Sequence, residues 1–376
     1  MDLKILHTGD IHLGAKFAML GEKGGEQRLQ ILKTFGNVID LAIEEDVDLF
    51  LIAGDLFDSN SPSRRTLDEV VQLFKKLEQK NIPICLIPGT HDLYDATSIY
   101  RRYNFNDVLS NLTLFTDEVT FKTFKNLDLT VYGKALTTGI LEGSPLEGIH
   151  PQTGTKFHIA LIHGALKISE KVEEDGAIFT LEEIERSGMN YIAMGHWHSF
   201  ADYSRGRTKA CYCGSPEALD IHQKGSGNVL LVFIDPDGSV RVEPRRVGKR
   251  LFKMLELPVD MMSSVSEINE AIKAHSDPDL IIEVKLQGLA SFDLEIDPQE
   301  LEQELEPFFF RLRVIDESHP KLEEISVEDL PESMIIGKFV RIMEERLEQS
   351  TAEERRVIEE ALKLGVALLK GENVLR

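Results

Sequence analysis

The feature that most constrains this chain is a set of apolar runs, each ending abruptly at Gly with His or Asp beside it. The run Val47 to Ala53 ends in Gly54-Asp55-Leu56-Phe57-Asp58, a buried strand opening into a loop. Ile82 to Ile87 ends in Pro88-Gly89-Thr90-His91-Asp92, Ile159 to Ile162 in His163-Gly164, and Tyr191 to Met194 in Gly195-His196-Trp197-His198. A first strand, 3–8, ends in Gly9-Asp10-Ile11-His12. Open α/β sheets place ligands and metals at such strand ends. One strand-end His is more often structural than ligating, but five tips of this kind are not explained as core histidines.

Between the tips the chain alternates element types. Glu26 to Ile43 carries apolar residues at helical spacing (Leu29, Leu32, Phe35, Val38, Ile39, Ala42), and a second helix is expected from about Thr66 to Gln79. Strand–helix–strand–helix–strand predicts parallel pairing with right-handed crossovers. Further strands are expected at 128–134, 157–162, 190–194, 209–213, 228–234 and 239–245, the later ones with a more antiparallel look. The character changes at Gly248-Lys249-Arg250. Residues 251–315 read as a small α/β unit, with strands 252–256, 279–287 and 309–315 and helices 264–274 and 298–307. From Pro331 to about Leu369 the chain reads as helical, broken near Ser350-Thr351. Its apolar stripes (Ile335, Phe339, Ile342, Leu347; Val357, Leu362, Leu364, Val366, Leu369) fit docking on their own protein better than a partner-binding face.

Net charge bounds the function. At −22 the chain is not a generic nucleic-acid-coating protein. The acidity is uneven: residues 251–376 hold 14 Lys/Arg against 29 Asp/Glu, the preceding residues 28 against 35. A nucleic-acid substrate stays open for a metalloenzyme, because bound divalent cations invert the local field. No run approaches the roughly 18 apolar residues of a membrane span. The N-terminus enters a strand directly, without a secretory pattern. Three cysteines, Cys85, Cys211 and Cys213, make an odd set that fits a reduced cytoplasmic protein and no thiolate zinc site.

Asp10 and His12 are two apart, so extended backbone would send both side chains toward one ion. His196 and His198 repeat the spacing, with Trp197 pointing the other way. Asp55 is the carboxylate able to sit between two ions. Imidazole and carboxylate without thiolate suit Mn²⁺, Fe²⁺ or Zn²⁺, whereas Mg²⁺ prefers oxygen ligands. Two such ions about 3.5–4 Å apart clamp a phosphate, generate hydroxide near neutral pH and stabilise a leaving oxygen. Phosphoester hydrolysis is the favoured chemistry.

The order Asp-x-His, Gly-Asp-x-x-Asp, Gly-x-His-Asp, His-Gly, Gly-His-x-His resembles the calcineurin-like metallophosphoesterases. His7-Thr-Gly-Asp-Ile-His-Leu-Gly14, Gly54-Asp-Leu-Phe-Asp-Ser-Asn-Ser-Pro-Ser63 and Tyr212-Cys-Gly-Ser-Pro216 are similar to the SbcD-type DNA double-strand-break repair nucleases of that superfamily. The resemblance covers roughly residues 3–235. It implies an α/β fold, a four-layer β-sandwich flanked by helices, with 1–248 as the nuclease domain. It also implies a capping α/β domain at 249–318 and a helical segment at 319–376 in the place of an ATPase-binding region. One ion would be held by Asp10, His12, Asp55 and His198, the other by Asp55, His163, His196 and Thr90, with Mn²⁺ foremost. His91 would be the acid–base or transition-state-stabilising imidazole, oriented by Asp92. The resemblance further implies 3′→5′ exonuclease and single-strand endonuclease activity, an SbcC-like ATPase of the SMC type as partner, and a homodimer.

Two positions depart from that pattern. The family's Gly-Asn-His-Asp is Gly89-Thr90-His91-Asp92 here, so a hydroxyl, a poorer neutral ligand, replaces an amide oxygen. Asp58 stands where some members carry a second His, either beside the ligands or solvated with Ser59 and Asn60. Arg64, Arg65, Arg101 and Arg102 are the candidates for DNA phosphate contact. Two other readings stand beside the nuclease. One is a phosphatase or small phosphodiester hydrolase on the same scaffold. The other is a weakly active DNA-end or ATPase-binding scaffold, should Thr90 weaken the second ion. The extra C-terminal module favours the nuclease.

Overall fold

A computed structural model describes residues 2–138, 143–168, 177–220, 223, 225–291, 294, 296–320 and 335–369. The expectations for 331–334 and for the interval 321–334 in general lie outside these residues. The chain separates into two compact units, Met1–Phe252 and Lys253–Arg376.

In the first unit β1 (Leu3–Thr8), α1 (Gly24–Glu44), β2 (Leu49–Ala53), α2 (Arg64–Gln79) and β3 (Ile84–Ile87) follow in the expected order. After them come α3 (Ile99–Arg102), β4 (Leu112–Leu114), β5 (Thr120–Phe124), β6 (Leu129–Gly133), β7 (Phe157–His163), β8 (Ala165–Leu166), β9 (Ile178–Phe179) and α4 (Leu181–Arg186). The unit closes with β10 (Tyr191–Gly195), β11 (Ala201–Asp202), β12 (Lys209–Tyr212), β13 (Asn228–Ile234) and β14 (Val240–Arg246). Two six-stranded sheets result, in the orders β14-β13-β1-β2-β3-β4 and β11-β12-β10-β7-β6-β5. The short elements α3, β4, β5, β8, β9, α4 and β11 carry no periodicity long enough to be read from sequence.

β1, β2 and β3 pair in parallel as expected. So do β6, β7, β10 and β12, whose direction the sequence leaves open. The reason is burial on both faces. Ile159, Leu161 and Ala193 join Ile5, Leu51 and Val232 in the core between the sheets. Ala160, Ile162, Ile192 and Met194 join Phe179 and Ile184 in a second cluster on the outer face. Strands covered on both sides read as continuous apolar runs, the mark of a parallel sheet. The antiparallel expectation holds for β13 and β14. On the first sheet α2 starts at Ser63, whose Oγ accepts the Thr66 N–H, and buries Leu67, Val70, Val71, Phe74 and Leu77. Phe74 meets Phe35 of α1 edge-on, with ring centroids 6.0 Å apart.

The second unit contains most of β15 (Leu251–Pro258), with α5 (Val265–Lys273), β16 (Asp277–Gln287), β17 (Leu289–Ala290), α6 (Pro298–Leu305), β18 (Phe309–Asp316) and β19 (His319–Pro320). β15, β16 and β18 form a three-stranded sheet, and α5 and α6 cover its core around Ile268, Ile272, Ile282, Val284, Leu301 and Leu312. α7 (Ile335–Glu348) and α8 (Ala352–Leu369) form a hairpin over Val340, Met343, Leu362 and Val366. Their stripes divide: Phe339 and Leu347 join this packing, while Ile335, Ile342 and Val357 stay exposed. Among the described residues no helix is long and apolar enough to cross a membrane.

The sheets lie in close contact at the carboxyl ends of β2 and β10. A Cβ on Gly195 would lie 1.7 Å from the Ala53 carbonyl oxygen, which is backbone and cannot yield. Gly195→Ala is therefore expected to destabilise the fold by about 3 kcal/mol through overpacking. Gly154→Ala, with nothing within 4 Å of its added Cβ, is the neutral control. Urea unfolding midpoints measure the difference; equal midpoints would show that the junction tolerates separation.

Candidate metal centre

The tips of β1, β2, β3, β7 and β10 converge at this junction, and the backbone between them is tightly zipped. Asp10 N–H donates to the Gly54 carbonyl at 3.0 Å, Ile11 N–H to Asp55 at 2.9 Å and Leu13 N–H to Leu56 at 3.0 Å. Asp10, His12 and Asp55 consequently sit in the left-handed region, with φ of 50°, 52° and 50°, and His196 has φ 115°. Extended backbone is thus not what aims Asp10 with His12, or His196 with His198. For Asp10 and His12 a loop-to-loop ladder does so, held in a conformation that short polar residues and His tolerate better than most. Strain of this kind concentrates at functional sites.

Asp55 is buried at the centre. Its Oδ2 lies 3.3 Å from His163 Nε2 and 3.7 Å from His12 Nε2, and its Oδ1 accepts the His91 N–H at 2.8 Å. His163 Nδ1–H donates to the Ala53 carbonyl at 2.8 Å, which fixes the proton there and turns Nε2 inward. His12 Nε2 and His198 Nε2 face each other at 3.2 Å. Asp10 accepts the His196 N–H, and the His196 ring stands edge-on to His163 at 5.3 Å. The Thr90 hydroxyl donates to Asp55 at 3.3 Å and lies 3.5 Å from His163 Nε2, so it occupies the expected side of the cluster.

His91 is half exposed, edge-on to His12 with centroids 4.5 Å apart. Its orientation does not come from Asp92, as expected, but from Asp58, whose carbonyl lies 3.2 Å from His91 Nδ1. Asp92 is buried and faces inward, accepting from Gly89 N–H, Phe57 N–H and the Tyr100 hydroxyl. Those three donors hold it beneath the loop. Asp58, left open by the sequence, places Oδ1 3.3 Å from His12 Nδ1 and so belongs beside the ligands. Two contributors carried no signal as site residues. Gln223 Nε2 meets His198 Nδ1, and Ser215 donates its hydroxyl to the Asp10 carbonyl and its N–H to that of His198. Ser215 lies within the Gly-Ser-Pro motif, the one hint available.

The arginines are engaged locally. Arg64 pairs with Asp68 and Arg65 with Glu69, one helical turn on. Arg101 pairs with Asp117 and lies over the Tyr94 ring. Arg102 donates to the carbonyls of Thr97 and Asn60, tying the Asp58 loop to the segment that follows His91.

Asp10 with His12 and His198, and Asp10 with Asp55 and His163, each bring one donor atom per residue within 4.8 Å of one another. His12, Asp58 and His91 form a third such set. Protons supply the positive charge these buried carboxylates need. Burial raises Asp10 to about 6. Burial opposes charge on His163, but the charge and hydrogen bond of Asp55 outweigh it and lift His163 to about 9. Burial likewise disfavours the ionised form of Asp55, yet His163 and His12 hold it below the usual carboxylate range. Burial and the neighbouring His12 charge push His198 down to about 3, so its ring is neutral. Converging carboxylates and imidazoles that demand buried positive charge fit divalent cations.

A two-sheet α/β fold with these donors at its strand ends defines a metal-dependent phosphoester hydrolase. The calcineurin-like phosphoesterase family matches residues 3–200, and the chain belongs to that family. It is 26% identical over 339 residues to the "uncharacterized metallophosphoesterase YhaO" of Bacillus subtilis, covering 84% of this chain and 82% of that protein. It is 25% identical over 357 residues to the "DNA double-strand break repair protein Mre11" of Sulfurisphaera tokodaii, covering 90% and 88%. To the Mre11 of Saccharolobus solfataricus it is 30% identical over 201 residues, 52% of this chain and 50% of that one.

These proton positions give a pH prediction. Folded His163 keeps its proton up to about pH 9 where the unfolded group releases it near 6.5, so the folded state binds more protons across that window. The contribution to stability is complete below pH 6.5 and is lost as pH rises through 9. Urea stability of the metal-free chain is expected to fall over this range, while Mn²⁺ affinity by titration calorimetry rises as the ion replaces protons. Affinity that stays flat with pH would mean the ion does not displace them.

Proposed function

We propose that the chain is a metal-dependent DNA nuclease, with 3′→5′ exonuclease and single-strand endonuclease action in DNA repair. The observation that carries this is the extent of the likeness to the Sulfurisphaera Mre11. It spans 90% of the chain and so reaches well beyond the phosphoesterase match, which ends at residue 200. In this reading Asp10, His12, Asp55 and His198 hold one ion and Asp55, His163, His196 and Thr90 the other, with Mn²⁺ foremost. When bound, the ions would clamp the scissile phosphate and lower the pKa of the attacking water.

The chain's own residues do the rest. His163, pinned by the Ala53 carbonyl, and His12, held by Asp58, keep their Nε2 atoms aimed without reorganisation. The exposed His91 ring, set by the Asp58 carbonyl, would donate a proton to the leaving oxygen. Thr90 supplies a weaker neutral ligand than an amide. Arg101, exposed and in the segment that follows His91, is the arginine this reading assigns to a DNA phosphate. The α7–α8 hairpin leaves Ile335, Ile342 and Val357 exposed, which supports an SbcC-like coiled-coil ATPase as partner of a cytoplasmic homodimer.

End-labelled single- and double-stranded DNA with Mn²⁺ tests the reading, beside p-nitrophenyl phosphate esters. Wild type is expected to cut DNA, Asp55→Ala to lose activity entirely and His91→Ala to lose 10²–10⁴-fold. Ester hydrolysis without DNA cleavage would move the assignment to a small-molecule phosphoesterase. Thr90→Asn is expected to raise the rate at limiting metal; a large rise from near-zero wild-type activity would favour the scaffold reading. Arg101→Ala should flatten the log–log salt dependence of DNA binding by about one unit. An unchanged slope would remove Arg101 from the interface.

A further inference from the structure

Glu217 is a carboxylate with 1% of its surface exposed, and none of the chemistry above uses it. It sits in the segment 215–227, which does two things at once. Toward the metal centre, Ser215 donates its hydroxyl to the Asp10 carbonyl and its N–H to the His198 carbonyl at 3.0 Å. Gln223, its amide oxygen accepting the Leu219 N–H at 3.2 Å, meets His198 Nδ1. Toward the other side, the same segment takes up four consecutive amides of the linker that leads into the C-terminal unit. Val247 and Gly248 donate to the Gly227 carbonyl at 2.9 and 3.0 Å, and Gly227 N–H in turn donates to the Ser215 carbonyl at 2.8 Å. Lys249 N–H donates to Glu217 Oε2 at 3.0 Å, and Arg250 N–H to Glu217 Oε1 at 2.6 Å.

Both carboxylate oxygens of Glu217 are thus committed to the linker. α1 completes the enclosure: Thr34 donates its hydroxyl to Glu217 Oε2, and the buried Arg250 guanidinium pairs with Glu26. A Cβ on Gly248 would fall 2.7 Å from the Pro216 carbonyl, so linker and segment lie in close contact. A carboxylate removed from water needs its oxygens hydrogen-bonded, and here linker amides and Thr34 supply the donors. The geometry fixed here is that of the linker against the segment seating His198 and Asp10.

We propose that Glu217 is a positioning residue that couples the linker of the C-terminal unit to the metal centre, so that displacement of the linker loosens the seat of His198 and Asp10. The coupling rests on those two residues being metal ligands. It predicts that a change in the linker, which carries no ligand, alters metal affinity.

The test uses the full chain and Mn²⁺ alone, with affinity read by calorimetry and folding by circular dichroism and urea unfolding. Glu217→Ala is expected to weaken Mn²⁺ binding about tenfold, the lower end for outer partners of metal ligands. Glu217→Gln, which keeps one acceptor oxygen, should recover most of that loss. Lys249→Pro removes one linker N–H and leaves every ligand and Glu217 in place; it should weaken binding at least threefold. Asp237→Ala, on an exposed turn, should bind as wild type. Folded Lys249→Pro and Glu217→Ala with wild-type affinity would overturn the proposal, even if both are less stable. If Glu217→Ala does not fold, Lys249→Pro and Glu217→Gln decide alone. Wild type that binds no Mn²⁺ would overturn the metal-centre reading and this coupling together.

Discussion

Two carboxylates, Asp10 and Asp55, lie buried where the ends of two sheets meet, and the first unit is arranged around making that tolerable. A carboxylate removed from water needs cations or several donors close by. Asp55 has His163, His12, the Thr90 hydroxyl and the His91 N–H; Asp10 has the His196 N–H, with the His163 ring 4.0 Å away. Those partners come from four different strand ends. The sheets must therefore bring the ends together, and the glycines beside the tips allow it. A Cβ at Gly89 would strike Asp55 Oδ1 at 2.3 Å, and one at Gly54 would strike His163 Nδ1 at 2.2 Å. The charge demand and the sheet geometry are one constraint seen from two sides.

The legible part of this arrangement was the part encoded locally. Each tip is an apolar run, a glycine and a ligand-type residue within eight positions, and β2, β3, β7 and β10 carry that pattern openly. The direction of pairing in the second sheet is not legible, because the burial on both faces that makes β6, β7, β10 and β12 parallel depends on partners far along the chain. Asp92 was misplaced for a similar reason. Adjacent to His91 in sequence, it is turned inward by Gly89, Phe57 and Tyr100, and Phe57 lies 35 residues away. Gln223 and Ser215 had no signature because an amide and a hydroxyl in a loop acquire meaning only from what they touch.

On the proposed ligand assignment the centre has unequal halves. His163 is fixed by the carbonyl of Ala53, a residue at the end of a core strand buried on both faces. Nothing short of separating the sheets would move it. His198 is fixed by Ser215 and Gln223, which belong to a connecting segment rather than to a strand. Rigid elements hold a site more precisely than loops do. The half built on Asp55 and His163 is therefore pre-set by the core, and in the other half the seat of His198 and of the Asp10 carbonyl depends on Ser215 and Gln223.

That division gives the Thr90 substitution a physical setting. The hydroxyl stands on the core-fixed side, 3.5 Å from His163 Nε2, where the neighbouring donors are already locked. A weaker neutral ligand is least damaging where the other ligands need no reorganisation to bind, because the ordering cost has been met in folding rather than at binding. On the segment-held side the same weakening would add to a seat that is itself adjustable. On that assignment the two halves have opposite vulnerabilities: ligand strength would limit the first, and the position of the loop the second. A change in the linker should act mainly on the second half, through His198, and a change at residue 90 on the first, which makes the two effects separable in one titration.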